Sequence, residues 1–294
     1  MFLVQSSPYV DEANAVPFSL ALIFVTILGA LIGSFLNVVI HRVPREESIV
    51  FPNSRCPHCG TAIRPYDNIP IVSYLWLRGR CRACRARIPA RYPAVELLTA
   101  LLFALTFLHT GLTLALPFNL VFVAALLALI FIDAEHMILP NVITYPGLLF
   151  ALAARLVVPN LYGIGMLTTD GAVAGWPLAA QSLVGALIGA LVGGGSLWLV
   201  GWLWKRLRGV EAMGLGDVKM MFMVGAFLGW PLTVLAIFLG VLTGSIIGIA
   251  LMLRRGERDM KMLLPFGIFL GLGAIISLLI GTQIVNWYLS QFML

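Results

Sequence analysis

Six side chains in this sequence have types and spacings that support chemistry: two aspartates set against apolar runs, and four cysteines in two pairs. Asp133 lies in LALIFIDAEHMILP and Asp217 in MGLGDVKMMFMVGAF, each beside a stretch apolar enough to enter a bilayer. An ionised carboxylate near hydrocarbon costs roughly 3 kcal/mol or more, so such residues persist where they react or are paired. If the two meet, they form an acid/base pair. Carboxyls a few ångström apart do not both ionise cheaply, so one keeps a proton while the other acts as base. The ionised member can then take a proton from a water attacking a carbonyl, and the protonated member can donate to the carbonyl oxygen. Such a pair titrates as a unit, so neither aspartate has a fixed role.

The cysteines stand as Cys56-Pro57-His58-Cys59 and Cys81-Arg82-Ala83-Cys84, with 21 residues between the pairs. Four thiolates suit the closed tetrahedral coordination of structural zinc, and each Cys-x-x-Cys turn can aim both sulfurs at one ion. Four protein ligands leave no open position, so the metal would be structural and would fold a loop too small to hold a core. A redox dithiol, two unconnected pairs, or His58 in place of one thiolate are the alternatives.

The elements that must position these groups are membrane helices. The chain has 294 residues, 60% hydrophobic and 11% charged, with a mean hydropathy of +0.98. That balance excludes a soluble globular domain and implies an all-α polytopic membrane protein. The net charge of +6 therefore reads as topology rather than nucleic-acid affinity. The first apolar run lacks a basic flank and has full spanning length, so it is expected to remain as a helix rather than be cleaved as a signal. About eight spans are expected, near 18–40, 94–110, 118–133, 139–158, 180–204, 217–230, 232–253 and 263–288. Gly229-Trp230-Pro231 marks a turn between the sixth and seventh.

Charge placement supports eight. The 41–93 loop carries ten arginines against Glu46, Glu47 and Asp67, which assigns it to the cytoplasm. Alternation then places eighteen of the nineteen basic residues inside, Arg155 being the exception, with both termini outside. The third span ends at Asp133 and the sixth begins at Asp217, so both aspartates arrive at the cytoplasmic boundary. The expected organisation is 1–40 as periplasmic N-terminus and first helix, 41–93 as a small zinc-ribbon-like cytoplasmic loop domain, and 94–294 as a seven-helix membrane domain.

Structural roles compete with this reading. Asp217 is placed to favour the N-terminus of its helix, and Asp133 could pair with Lys219 or an arginine. Gly214 and Gly216 allow a close backbone approach or positive φ beside Asp217. Lys219 could hold that carboxylate ionised or meet lipid phosphate. Glu135 and His136 read as solvated interface residues, Asn37 as a buried hydrogen-bonding residue, and Glu96 as a partner of Arg91 or a neighbouring arginine.

The residues resemble the type IV prepilin peptidase family over nearly the whole chain. The likeness runs through GSFLNVVIHRVP (33–44), the two cysteine knuckles, IRPYDNIPIVSYLWLRGRC (63–81) and ARIPARYPAVELLTA (86–100). It continues through FIDAEHMILPN (131–141), GLGDVKMMFMVGAFLGW (214–230) and PFGIFLG (265–271). The resemblance implies an aspartic peptidase of the bacterial cytoplasmic (inner) membrane with its active site facing the cytoplasm. It would remove the basic leader of type IV prepilins and type II secretion pseudopilins after a glycine. Asp133 and Asp217 would be the catalytic pair, and membrane lipid would surround the substrate helix. The cysteine loop matches members that also N-methylate the new N-terminus with S-adenosylmethionine. Asn141 stands where an aspartate is frequent, and Ile268 where a second proline is common. Two other classes remain as alternatives. A proton-coupled transporter would want acids at mid-membrane depth, and an assembly scaffold would make the aspartates structural.

Overall fold

A computed structural model describes residues 17–159, 161, 175–210, 213–255 and 265–292. The expected periplasmic N-terminus, and Arg258 and Lys261 of the last basic cluster, lie outside the described residues. Among those described, regular structure is helical, with two isolated β-bridges as the exception. The helices are α1 (Phe18–Arg42), the short α2 (Val72–Trp76), α3 (Arg91–Thr110), α4 (Ala115–His136), α5 (Asn141–Val157), α6 (Leu178–Arg208), α7 (Leu215–Leu228), α8 (Trp230–Arg255) and α9 (Phe266–Phe292). Apart from α2, they fall on the eight expected segments. Six of them, α1, α3, α4, α6, α8 and α9, are long and apolar enough to cross a bilayer.

The two short ones are informative. α5 has 17 residues and α7 only 14, giving lengths of about 25 and 21 Å against a hydrocarbon core of about 30 Å. α7 compensates by position. Met220, Met221, Met223, Val224, Ala226, Phe227 and Leu228 are fully buried, so from Met220 onward this helix is apolar all round because protein surrounds it. It packs on α5, α6, α8 and α9. Phe227 stacks on Phe122 of α4 at 4.0 Å between ring centres. Gly229 ends α7 with φ +76, and α8 starts at the next residue, which places the expected turn.

Close backbone contact fixes α7 against α6. A Cβ on Gly189 would collide with the Gly225 carbonyl oxygen, and one on Gly225 with the Gly189 carbonyl oxygen. Just beyond, Leu191–Gly195 of α6 is π-helical. Bulges of this kind widen a helix locally and concentrate where packing or function demands it.

Arg155, the exception in the charge pattern, is 1% exposed in α5, with its Nε 3.4 Å from the Ala226 carbonyl of α7. Its charge sits inside the bundle rather than in a loop, so the loop-counting rule does not apply to it. α6 has 31 residues, about 46 Å of helix. Its final turns carry Trp198, Trp202, Trp204, Lys205, Arg206 and Arg208, the aromatic and basic mixture that suits a membrane interface.

Candidate active site and cysteine centre

Asp133 sits in the last turn of α4. Its carbonyl accepts the amide of Met137 at 2.9 Å, and Met137 closes the helix in the left-handed region. The chain then turns through Leu139-Pro140 into α5. The Asp133 side chain points across to the start of α9, where Oδ2 accepts the Ile268 amide at 3.2 Å. The free amides of a helix start suit a carboxylate. Gly267 is what lets it approach: a Cβ there would lie 2.8 Å from Asp133 Oδ2.

Asp217 is in the first turn of α7, after Gly214 and Gly216. Neither glycine has positive φ. Gly216 matters because a Cβ on it would lie 2.9 Å from Leu139 Cβ. Leu139 also abuts Gly267, where a Cβ would be 3.1 Å from its Cδ1. One leucine is therefore wedged between the start of α7 and the start of α9, so that the helix ends bearing the two carboxyls adjoin it. Asp133 is 5% exposed and Asp217 8% exposed. Among the described residues neither forms an ion pair.

Structural partners for the aspartates are taken elsewhere. Lys219 donates to Asn141 Oδ1 at 2.9 Å and lies 5.3 Å from the centre of the Tyr145 ring. Arg91 pairs with Glu135, not with Glu96 as the sequence suggested. Glu96 instead accepts the Ile71 amide at 2.7 Å, tying the cysteine loop to α3. Asn37 is buried as expected, with Nδ2 donating to the Tyr92 carbonyl at 3.1 Å and to the Gly33 carbonyl at 3.3 Å. The pairing of Glu135 and the latch by Glu96 carry no sequence signal, because both partners are set by how α3 meets α4 and the loop.

The cysteine loop is built from two matching turns. Cys56 donates its amide to Thr61 and accepts that of Gly60, both at 2.9 Å; Cys81 does the same with Ala86 at 2.8 Å and Arg85 at 3.0 Å. Gly60 and Arg85, each following the second cysteine of its pair, take φ of +67 and +60. The bridges Arg55–Ala62 and Arg80–Arg87 close the turns. All four Sγ atoms lie within 4.8 Å of one another, and Cys56 Sγ is 3.8 Å from Cys84 Sγ. A tetrahedral ion with Zn–S of ~2.3 Å requires S···S near ~3.8 Å. The donor set therefore fits zinc. His58 is exposed and stands outside this cluster.

Comparison with known proteins gives this geometry a family. Residues 27–110 match the Bacterial Peptidase A24 N-terminal domain, and residues 120–249 match the Type IV leader peptidase family. The chain belongs to the type IV leader peptidase family. A prepilin leader peptidase/N-methyltransferase of Pseudomonas aeruginosa is 39% identical, covering 96% of this chain and 98% of the relative. Proteins of the same name from Aeromonas hydrophila (39% identical, 94% and 95% covered) and Dichelobacter nodosus (38%, 90% and 93%) are similarly close. No solved structure matches. The first family region holds the later part of α1, the cysteine loop and α3; the second runs from α4 into α8 and holds both aspartates.

Proposed function

We propose that this chain is an aspartic endopeptidase of the inner membrane. It removes the basic leader of type IV prepilins and type II secretion pseudopilins after a glycine, and N-methylates the exposed N-terminus with S-adenosylmethionine. The observation that carries the peptidase reading is the convergence of Asp133 and Asp217, 84 positions apart in sequence, at adjoining helix ends. Asp133 and Asp217 are the catalytic pair. A water between them loses a proton to the ionised carboxyl and attacks the scissile carbonyl, while the protonated carboxyl donates to its oxygen. Collapse of the tetrahedral intermediate breaks the C–N bond, and the proton taken from water passes to the leaving amine. The Ile268 amide holds Asp133 in orientation. Because α7 is fixed by backbone contact and the Asp133 side chain by the Ile268 amide, the pair is pre-organised rather than assembled by substrate.

The site faces the cytoplasm in this reading, which follows from the arginine-rich loop. A substrate whose leader is basic and whose following segment is a membrane helix then presents its junction at the boundary where the aspartates lie. We read 1–40, 41–93 and 94–294 as the N-terminal helix unit, the loop domain and the membrane domain. Cys56, Cys59, Cys81 and Cys84 hold zinc, which supplies a folding core to the loop. S-adenosylmethionine, when bound, would supply the methyl group for the new α-amine.

The test is single replacement, Asp133→Asn and Asp217→Asn, with leader removal from a co-expressed prepilin followed by mass. Cleavage is expected to fall by about 10²- to 10⁴-fold or more in each, with the protein still membrane-inserted. Normal processing by either variant removes that residue from the pair.

A further inference from the structure

The cysteine loop hides little and exposes an unusual face. On α2, Val72, Leu75 and Trp76 are 55%, 68% and 79% exposed. Their spacing of i, i+3 and i+4 puts them on one side of a single helical turn. The other side holds Ser73, which is buried and donates its hydroxyl to the Tyr66 carbonyl at 2.9 Å. So the helix turns its polar side inward and its apolar side out, the reverse of a soluble fold.

The orientation is enforced. Ile71, immediately before α2, has φ +62, a region that a β-branched residue adopts only under constraint. The constraint is the hydrogen bond from its amide to Glu96 Oε2 at 2.7 Å. Glu96 lies five residues into α3 from Arg91, which is about 7.5 Å along the helix. The latch therefore draws the start of α2 down to the level of a membrane-helix end instead of leaving it out in solvent. Continuing the chain, Arg78 and Arg80 are exposed directly after the apolar turn, and Arg82, Arg85 and Arg87 follow on the second knuckle.

We infer that α2 is an interfacial anchor: Val72, Leu75 and Trp76 enter the head-group region of the protein's own bilayer while the adjacent arginines meet anionic phospholipid. Three features select lipid over a protein partner. The face is tied to a spanning helix at the depth of the boundary. Its largest member is tryptophan, the residue that best suits a surface apolar on one side and wet on the other. Its flank is rich in arginine, and each basic residue near an anionic leaflet adds attraction. The anchor would hold the loop beside the bundle rather than above it. Such an anchor requires only that the chain be a membrane protein and is independent of the peptidase reading.

The experiment uses the full-length protein in bilayers of phosphatidylcholine with and without phosphatidylglycerol, doped with a phospholipid carrying a photoreactive group in its acyl chain. Peptide mass mapping is expected to find adducts on the segment holding Val72–Trp76, rising severalfold with phosphatidylglycerol. In the double variant Leu75→Gln/Trp76→Gln these adducts should fall by at least about tenfold, with labelling of α1 and α8 unchanged. Absence of adducts on this segment while the spanning helices are labelled overturns the inference. So does their abolition by saturating prepilin, which would make the surface a dock for the substrate helix. Labelling indifferent to phosphatidylglycerol overturns the anionic-lipid assignment.

Discussion

The cysteine loop and the α7 bundle solve the same problem, fixing a functional group in place, by opposite means. Around α7 the work is done by packing: seven of its side chains are fully buried, and its backbone touches that of α6 at Gly189 and Gly225. In the loop from 43 to 90 the buried residues are Cys56, Ser73 and Gly79, with Cys81 half-covered, rather than any cluster of aliphatic side chains. Its shape comes from turn hydrogen bonds, from Asp67 with Arg82, and from four sulfurs aimed at one point. A region held by burial tolerates loss of any one polar contact; a region held by ligands does not. The two should therefore fail separately.

The strongest way to break that contrast is to take the metal away. Chelation of the purified protein, or Cys56→Ser, removes the loop's substitute for a core. Amide exchange across 54–88 is expected to accelerate by at least about 100-fold, while exchange in α4 and α7 stays within error. Leader cleavage should persist and methylation of the mature N-terminus should be lost. Equal loosening of α7 would show that the loop and the bundle form one cooperative unit.

A packing lesion should do the reverse. Gly225→Val places a branched side chain against the Gly189 carbonyl and must push α6 from α7. Overpacking of this kind costs about 1–3 kcal/mol, readable as a lower thermal midpoint of the membrane domain. Because α7 carries Asp217, cleavage should fall in parallel. Zinc content should stay at the wild-type ratio. If Gly225→Val changes zinc retention but not cleavage, α7 is not what positions the aspartate.

The same contrast explains what the sequence could reveal. Apolar run lengths located eight helices, because crossing hydrocarbon is a one-dimensional constraint written along the chain. Cys-x-x-Cys spacing located the knuckles, because each turn is local. Charge bias placed Asp133 and Asp217 at one end, and packing through Leu139 then brought those ends together. What stayed hidden was pairing across elements. Residue spacing suggests Arg91 or a neighbouring arginine for Glu96, yet Arg91 meets Glu135 of α4 and Glu96 latches Ile71. Likewise, the position of Lys219 suits a carboxylate or lipid phosphate, but its ammonium meets Asn141 and Tyr145. A long basic side chain reaches partners on any neighbouring helix, so its choice depends on helix packing that residue spacing does not encode. The shortness of α7 was visible only once its surroundings were, since an apolar run reads the same whether lipid or protein covers it.

The smallest effect concerns the ion pair that, among the described residues, braces the loop. Arg82 Nε and Nη2 hold Asp67 through contacts of 2.8 and 2.6 Å, and the hydrogen bond from Arg82 keeps the Asp67 carboxyl below the usual carboxylate range. With its folded-state pKa depressed, Asp67 contributes stability in full above the unfolded value of about 3.9, and that contribution fades as pH falls through the lower folded value. Arg82 is half exposed, so solvent screening limits the gain. Asp67→Asn is expected to raise loop exchange at neutral pH by about two- to fivefold. That difference between the two proteins should begin to shrink below about pH 4, where the unfolded chain takes up a proton at Asp67, and should be lost only once the pH passes below the lower folded value. The comparison is made over the pH range in which both proteins retain zinc, since release of the metal unfolds the loop in both. A difference that persists unchanged in acid would mean that Asp67 braces the second knuckle by shape rather than by charge. The loop would then share with α7 a dependence on packing that its exposed surface conceals.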